Sequence, residues 1–82
     1  MELFAKIKDS ELLFSLIHEL GTTFYKPLGQ NKYRVIYFSG RRFVIFEGEI
    51  PQEKLKNLER FAWKVDEMEI DEENNILKII QK

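Results

Sequence analysis

Cysteine is absent from the 82 residues, which excludes disulfides, thiolate metal sites and a cysteine nucleophile together. The four glycines stand singly at Gly21, Gly29, Gly40 and Gly48, so neither GxxxxGK[ST] nor GxGxxG occurs and phosphate has no glycine-rich loop to enter. The single histidine, His18, falls opposite the apolar stripe of the first expected helix, beside Glu11 and Ser15. That is the place of a solvated side chain, and one His without Cys supports neither a triad nor a transition-metal site. No apolar run reaches the roughly 18 residues of a membrane span, and Met1 to Ile7 has no basic n-region or long apolar segment, so a cytoplasmic protein is expected. Thirteen Lys plus Arg against fourteen Asp plus Glu give a net charge of −1; with no overall field, any affinity for nucleic acid must be local. No catalytic constellation, cofactor or small-molecule substrate is expected, and the protein reads as a non-enzyme.

What is present is globular: 44% hydrophobic and 33% charged residues describe a folding chain, and its length describes one domain, residues 1–82. Abundant Lys, Glu and Ile without Cys also suits a thermophile. Leu3, Ala5 and Ile7 alternate with Phe4, Lys6 and Lys8, a strand over about residues 2 to 8. Asp9 or Ser10 can cap a helix whose stripe is Leu12, Leu13, Leu16, Ile17 and Leu20, with Gly21 as its stop. Pro27 and Gly29 mark a turn, with Thr22 to Lys26 as a short extra strand before it. Tyr33 to Ile50 is a β-hairpin, and Pro51 opens a second helix with the stripe Leu55, Leu58, Phe61, Ala62 and Val65. "DEMEID" and "ILKIIQK" are strands joined by "EENN"; the carboxylates from Asp66 to Glu73 lack calcium-loop spacing and read as a solvated face and turn. The order β-α-β-β-α-β(β) suggests an α+β fold, an antiparallel sheet with two helices on one face, ferredoxin-like or related.

The hairpin carries the functional question, because both of its faces are apolar. A turn centred on Gly40 and Arg41 sets Phe38 opposite Phe43, Ile36 opposite Ile45 and Arg34 opposite Glu47. The Phe38, Phe43, Ile36 and Ile45 face is assigned to the core beneath the helices. Tyr33, Val35, Tyr37, Val44 and Phe46 then form an uncovered face, larger than the few hundred Å² that monomers usually expose. Three covers are open: the chain's own 22–32 segment or C-terminal strands, a protein partner, or nucleic acid. Trp63 adds a second candidate, since a helix continuing past it would expose the indole next to Lys56 and Arg60; a helix ending near residue 62 would instead tuck it against the core edge.

Lys26, Lys32, Arg41 and Arg42 are read as a basic rim at one end of the hairpin which, beside the aromatics, offers stacking rings and phosphate partners to a single strand. "SGRRFVIF" resembles the tail of the RRM family's RNP1 through Gly40, Phe43, Val44 and Phe46. Ser39, Arg41 and Arg42 depart from that pattern, and the RRM pattern would place Phe43 on the open face.

The order of the first strand and helix, Met1 to Leu20, the hairpin Tyr33 to Glu49 and a long last helix over Pro51 to about Met68 resembles the small dimerising subunit of the KEOPS transfer-RNA-modification complex. The acidic strands Asp66 to Lys82 depart from that family. The resemblance implies a non-catalytic subunit that dimerises and docks on a catalytic partner. Together these readings lead to a small interaction domain, a homodimer or accessory subunit of a larger complex, that buries the Tyr33, Val35, Tyr37, Val44 and Phe46 face or Trp63; a single-stranded RNA or DNA binder is the alternative. On the open-face reading, Tyr37→Glu would dissociate a dimer in light scattering without unfolding the domain.

Overall fold

The structure, a computed structural model, describes residues 4–17, 22–39, 42–74 and 76–80. The elements along the chain are β1 (Phe4–Ile7), α1 (Ser10–Ile17), β2 (Thr23–Gly29), β3 (Lys32–Ser39), β4 (Arg42–Glu49), α2 (Gln52–Phe61), β5 (Ala62–Lys64), β6 (Glu67–Asp71) and β7 (Ile76–Ile80). Asp9 starts α1, its Oδ1 accepting the Glu11 N–H at 2.9 Å, and Pro51 stands as the N-cap of α2. The extra strand before the hairpin is β2, and it runs through Pro27, where the ladder shifts register between Pro27 and Gly29; a bulge tolerates a residue without an N–H. The turn itself falls on Gln30 and Asn31, with φ of 52° and 63°, both left-handed as a two-residue hairpin turn requires. Leu20, Gly21, Gly40 and Arg41, where helix and hairpin ends are expected, lie outside the described residues.

Five strands form one sheet in the order β1-β4-β3-β2-β5, and β6 with β7 form a second. The first is mixed: β1 pairs with β4 and β2 with β5 in parallel, while β3 runs antiparallel to both of its neighbours. This corrects the expectation of an antiparallel, ferredoxin-like sheet, and what holds is the coarser class, α+β with two helices. Strands β1, β2, β4 and β5 all point the same way, so α1 carries the chain from β1 across to β2 and α2 carries it from β4 across to β5 in the same direction. Crossovers of one hand stepping in one direction lay their helices on the same face.

That face is the one expected to be open. Leu13 and Phe14 of α1 and Leu58 of α2 pack with Tyr25, Val35, Tyr37, Val44, Phe46 and Ile50 in one buried cluster, edged by Ile7, Leu16, Tyr33 and Leu55. The hairpin register is the expected one, with Phe38 opposite Phe43, Ile36 opposite Ile45 and Arg34 opposite Glu47; the faces are exchanged. In α1 the buried stripe is shifted by one position, so that Phe14 is buried and Leu12 exposed.

The other face has its own lid. Val65 and Met68 close over Ile36 and Ile45, with Phe24, Phe43, Ile70, Leu77 and Ile79 packed around them. The β6–β7 hairpin crosses the strands from one sheet edge to the other: the Val65 N–H donates to the Tyr25 carbonyl on β2, Arg34 Nη1 on β3 donates to the Met68 carbonyl at 3.3 Å, and Glu72 at the hairpin tip pairs with Lys6 of β1 at 2.9 Å. The architecture is therefore three-layered, helices, sheet and hairpin. Burying a large aliphatic side chain contributes about 1.5–3 kcal/mol, so this second core binds the hairpin to the sheet. Among the described residues no helix is long and apolar enough to cross a membrane.

Two stability outcomes follow. Tyr37 is 1% exposed, so Tyr37→Glu buries a carboxylate in the helix-side core and abolishes the cooperative urea transition, in place of the dissociation expected for an open face. Met68→Ala, at a site 3% exposed, lowers unfolding free energy by about 2–4 kcal/mol in urea melts; a value near zero would show the hairpin to be detached from the fold.

Candidate interaction site

With both sheet faces covered, the side chains proposed from the sequence separate. Val35, Tyr37, Val44 and Phe46 are all buried, Tyr33 is half-buried, and they serve the core. Trp63 is 61% exposed. Both readings of Trp63 are half right: α2 ends at Phe61, before the tryptophan, and yet the indole stays in solvent. The helix stripe that was to continue through Ala62 and Val65 is broken because residues 62–64 pair with β2, Thr23 with Ala62, Phe24 with Trp63 and Tyr25 with Lys64. The Ala62 N–H still bonds the Leu58 carbonyl while its own backbone is extended, φ −123° and ψ 150°. Alternation does the rest. Ala62 faces the helices and packs on their cluster, Trp63 faces the hairpin side in register with Phe24, and Val65 dives under the hairpin.

Trp63 thus sits on the outermost strand of the five-stranded sheet, beside Phe61 at the end of α2, itself 50% exposed. From it a line of rings runs inward along the helix-free face. Phe24 is in register with it, Phe24 and Phe38 meet edge-on at 6.0 Å between centroids, and Phe38 and Phe43 at 4.6 Å. Geometries of this kind hold Phe24, Phe38 and Phe43 in place through edge-to-face attraction, and Trp63 stands in register with the outer end of that row. The outer side of β5 carries no neighbouring strand in the described sheet.

The basic residues do not converge. Lys32 is paired with Glu49 at one end of the β3–β4 ladder and Arg42 with Ser39 at the other, about 23 Å apart at roughly 3.3 Å per residue; Arg41 lies outside the described residues. Lys26, half-buried, joins Lys32's end. This corrects the single basic rim. Phe43 does lie on the helix-free face, as the RRM-like pattern would have it, but it is half-buried there against the cluster that the hairpin closes, and that hairpin carries Glu67, Glu69 and Glu73 in solvent.

A cleft of about 600 Å³ opens between the hairpin tip and the ends of β1, β3 and β4. Two ion pairs stand in its walls, Lys6 with Glu72 at 2.9 Å and Arg34 with Glu47, and no group of three or more His, Asp or Glu suited to a metal ion occurs among the described residues. At the tip, Asp71 accepts hydrogen bonds from the Asn74 side chain at 2.7 Å and its N–H at 3.2 Å. These hold its carboxyl below the ordinary carboxylate range, the side-chain bond foremost. The acidic stretch accordingly includes a capped turn, as its composition suggests. The opposite shift occurs at Tyr25, raised first by burial and then by Glu59.

No family model, curated protein or solved structure matches this chain.

Asn74→Ala should move the Asp71 carboxyl titration up toward its ordinary value in an NMR pH series. Because the folded value is depressed, the contribution of this turn to stability is present above the unfolded carboxylate pKa and is lost as pH falls through the folded one. An unchanged titration would mean that another group holds the carboxylate.

Proposed function

We propose that this chain is a small non-enzymatic interaction domain, a dimer-forming or accessory subunit, that docks on protein through the β5 edge with Trp63 as its anchor. The observation that carries the reading is the exposure of Trp63, 61%, on a strand that pairs with no further strand on its outer side among the described residues, in a fold that encloses the other large aromatics of its central strands wholly or in part. Trp is the side chain most often responsible for binding energy at protein interfaces, and Arg60 and Lys64 beside it provide the mixed apolar and cationic rim that such anchors have. The resemblance to the KEOPS small subunit implies the same kind of role, although α2 ends at Phe61 where that family's last helix continues. Nucleic acid is the weaker reading, because the cations are spread over the length of the sheet and the helix-free face carries an acidic hairpin.

Trp63→Glu should leave the urea midpoint within the small range of surface substitutions while abolishing every protein complex, with itself or with another protein, that wild type forms in sedimentation velocity and quantitative pull-down. Complexes that survive the substitution would overturn the anchor. Oligonucleotide titration at low salt should give no binding; salt-dependent binding lost in Lys26→Ala/Lys32→Ala would replace this reading with the nucleic-acid one.

A further inference from the structure

Resting on the reading of β5 as the docking edge, we infer that its occupant is a second copy of the chain, joined antiparallel β5 to β5 about a two-fold axis at Trp63. The hydrogen-bonding groups of the edge define the register. Val65 donates to Tyr25 of β2, so in a parallel ladder Trp63 and Val65 spend their backbone groups inward and Ala62 and Lys64 turn theirs outward. The Ala62 N–H is already taken by the Leu58 carbonyl. What remains is the Ala62 carbonyl, with the N–H and carbonyl of Lys64.

Centred on Trp63, each Lys64 N–H meets the Ala62 carbonyl of the other copy, two hydrogen bonds related by symmetry, and no donor is asked to serve twice. The Trp63 pair is then of the non-hydrogen-bonded kind, in which side chains approach most closely, and both indoles lie on the helix-free face. Centring instead on Lys64 would place like charges directly opposite each other, which is destabilising. The chosen register also brings Arg60 at the end of one α2 toward the acidic stretch that follows β5 in the other copy, beginning at Asp66 and Glu67, so the charges at the rim are complementary. A strand of three residues is matched in length by its own copy.

The area decides the strength. With aromatic side chains burying about 150–250 Å² each, exposures of 61% for Trp63 and 50% for Phe61 leave roughly 250 Å² of ring surface per copy. That is a small interface, in the range of weak and transient contacts, so dissociation constants on the order of 100 µM are expected.

Sedimentation equilibrium from about 1 µM to 1 mM tests this, together with two single-cysteine variants, which are unambiguous because the chain has no cysteine of its own. Wild type should pass from monomer to dimer across the range, and Trp63→Glu should weaken dimerisation at least about 30-fold with its thermal unfolding unchanged. Under mild oxidation Lys64→Cys, which keeps the indole and the backbone groups of the edge, should cross-link several-fold faster than Leu28→Cys, a site also exposed, at 43%, but away from β5. A monomer at 1 mM, a dimer indifferent to Trp63→Glu, or equal cross-linking of the two variants would each overturn self-association. If wild type stays monomeric and Trp63→Glu still loses a complex with another protein, self-association falls and the docking edge stands.

Discussion

Everything in this fold depends on a sheet that needs covering on both sides. Four of its five strands run the same way, and sheets of that kind are stable in water only between two layers, which is why their strands read as near-continuous apolar runs. The chain supplies one layer with its two crossover helices and the other with its C-terminal hairpin. The hairpin could not stand alone, since two strands are marginal in water; Met68, Ile70, Leu77 and Ile79 gain their burial from the sheet, and the sheet gains its second cover from them. The ion pairs that accompany this contact are secondary. Lys6 and Glu72 are largely exposed, and solvent screening leaves pairs in that setting little net contribution.

The register of the central hairpin was legible in the sequence, down to Arg34 opposite Glu47, because period-two alternation and opposite charges both constrain it. The choice of face was not. Tyr33, Val35, Tyr37, Val44 and Phe46 are as apolar as Phe38, Phe43, Ile36 and Ile45, so composition is silent on which set meets the helices. The crossover direction decides, and it depends on strand order, which in turn depends on recognising β2 as a full member of the sheet and β5 as a strand at all. A purely antiparallel reading removes the reason for two covers, and with it the clue that the acidic C-terminal strands are a lid.

The end of α2 shows the same limit at the scale of one turn. Leu55, Leu58, Phe61, Ala62 and Val65 keep helical spacing, and neither glycine nor proline interrupts them, so local preference favours a longer helix. Pairing with β2 overrides it by satisfying the inward backbone groups of Trp63 and Val65 in extended form, and apolar side chains at Ala62 and Val65 serve equally well for a strand that has one layer on each side. Trp63, between them, is the position that this switch leaves without a cover. A weak local cue was present: Trp63 and Val65, aromatic and β-branched, stand two residues apart between Ala62 and Lys64, as the better-packed side of a short strand would. It could not outweigh ten residues of helical pattern.

Covering both faces moves the question of association to the edges. An open edge with a large aromatic invites indiscriminate strand addition, and native sheets restrain this by keeping edge strands short and placing lysine on them. β5 has both restraints, three residues and Lys64. They do not prevent pairing; they filter it. A newcomer can form only the few hydrogen bonds that Ala62 and Lys64 direct outward, too few to hold a strand by backbone alone, so the indole must contribute and the partner must offer it a matching apolar surface. A cation opposite Lys64 is rejected by charge. On the proposed docking at β5, specificity at this edge comes from the combination of a short ladder, one anchor and one repulsive residue, each of which would be unselective without the other two.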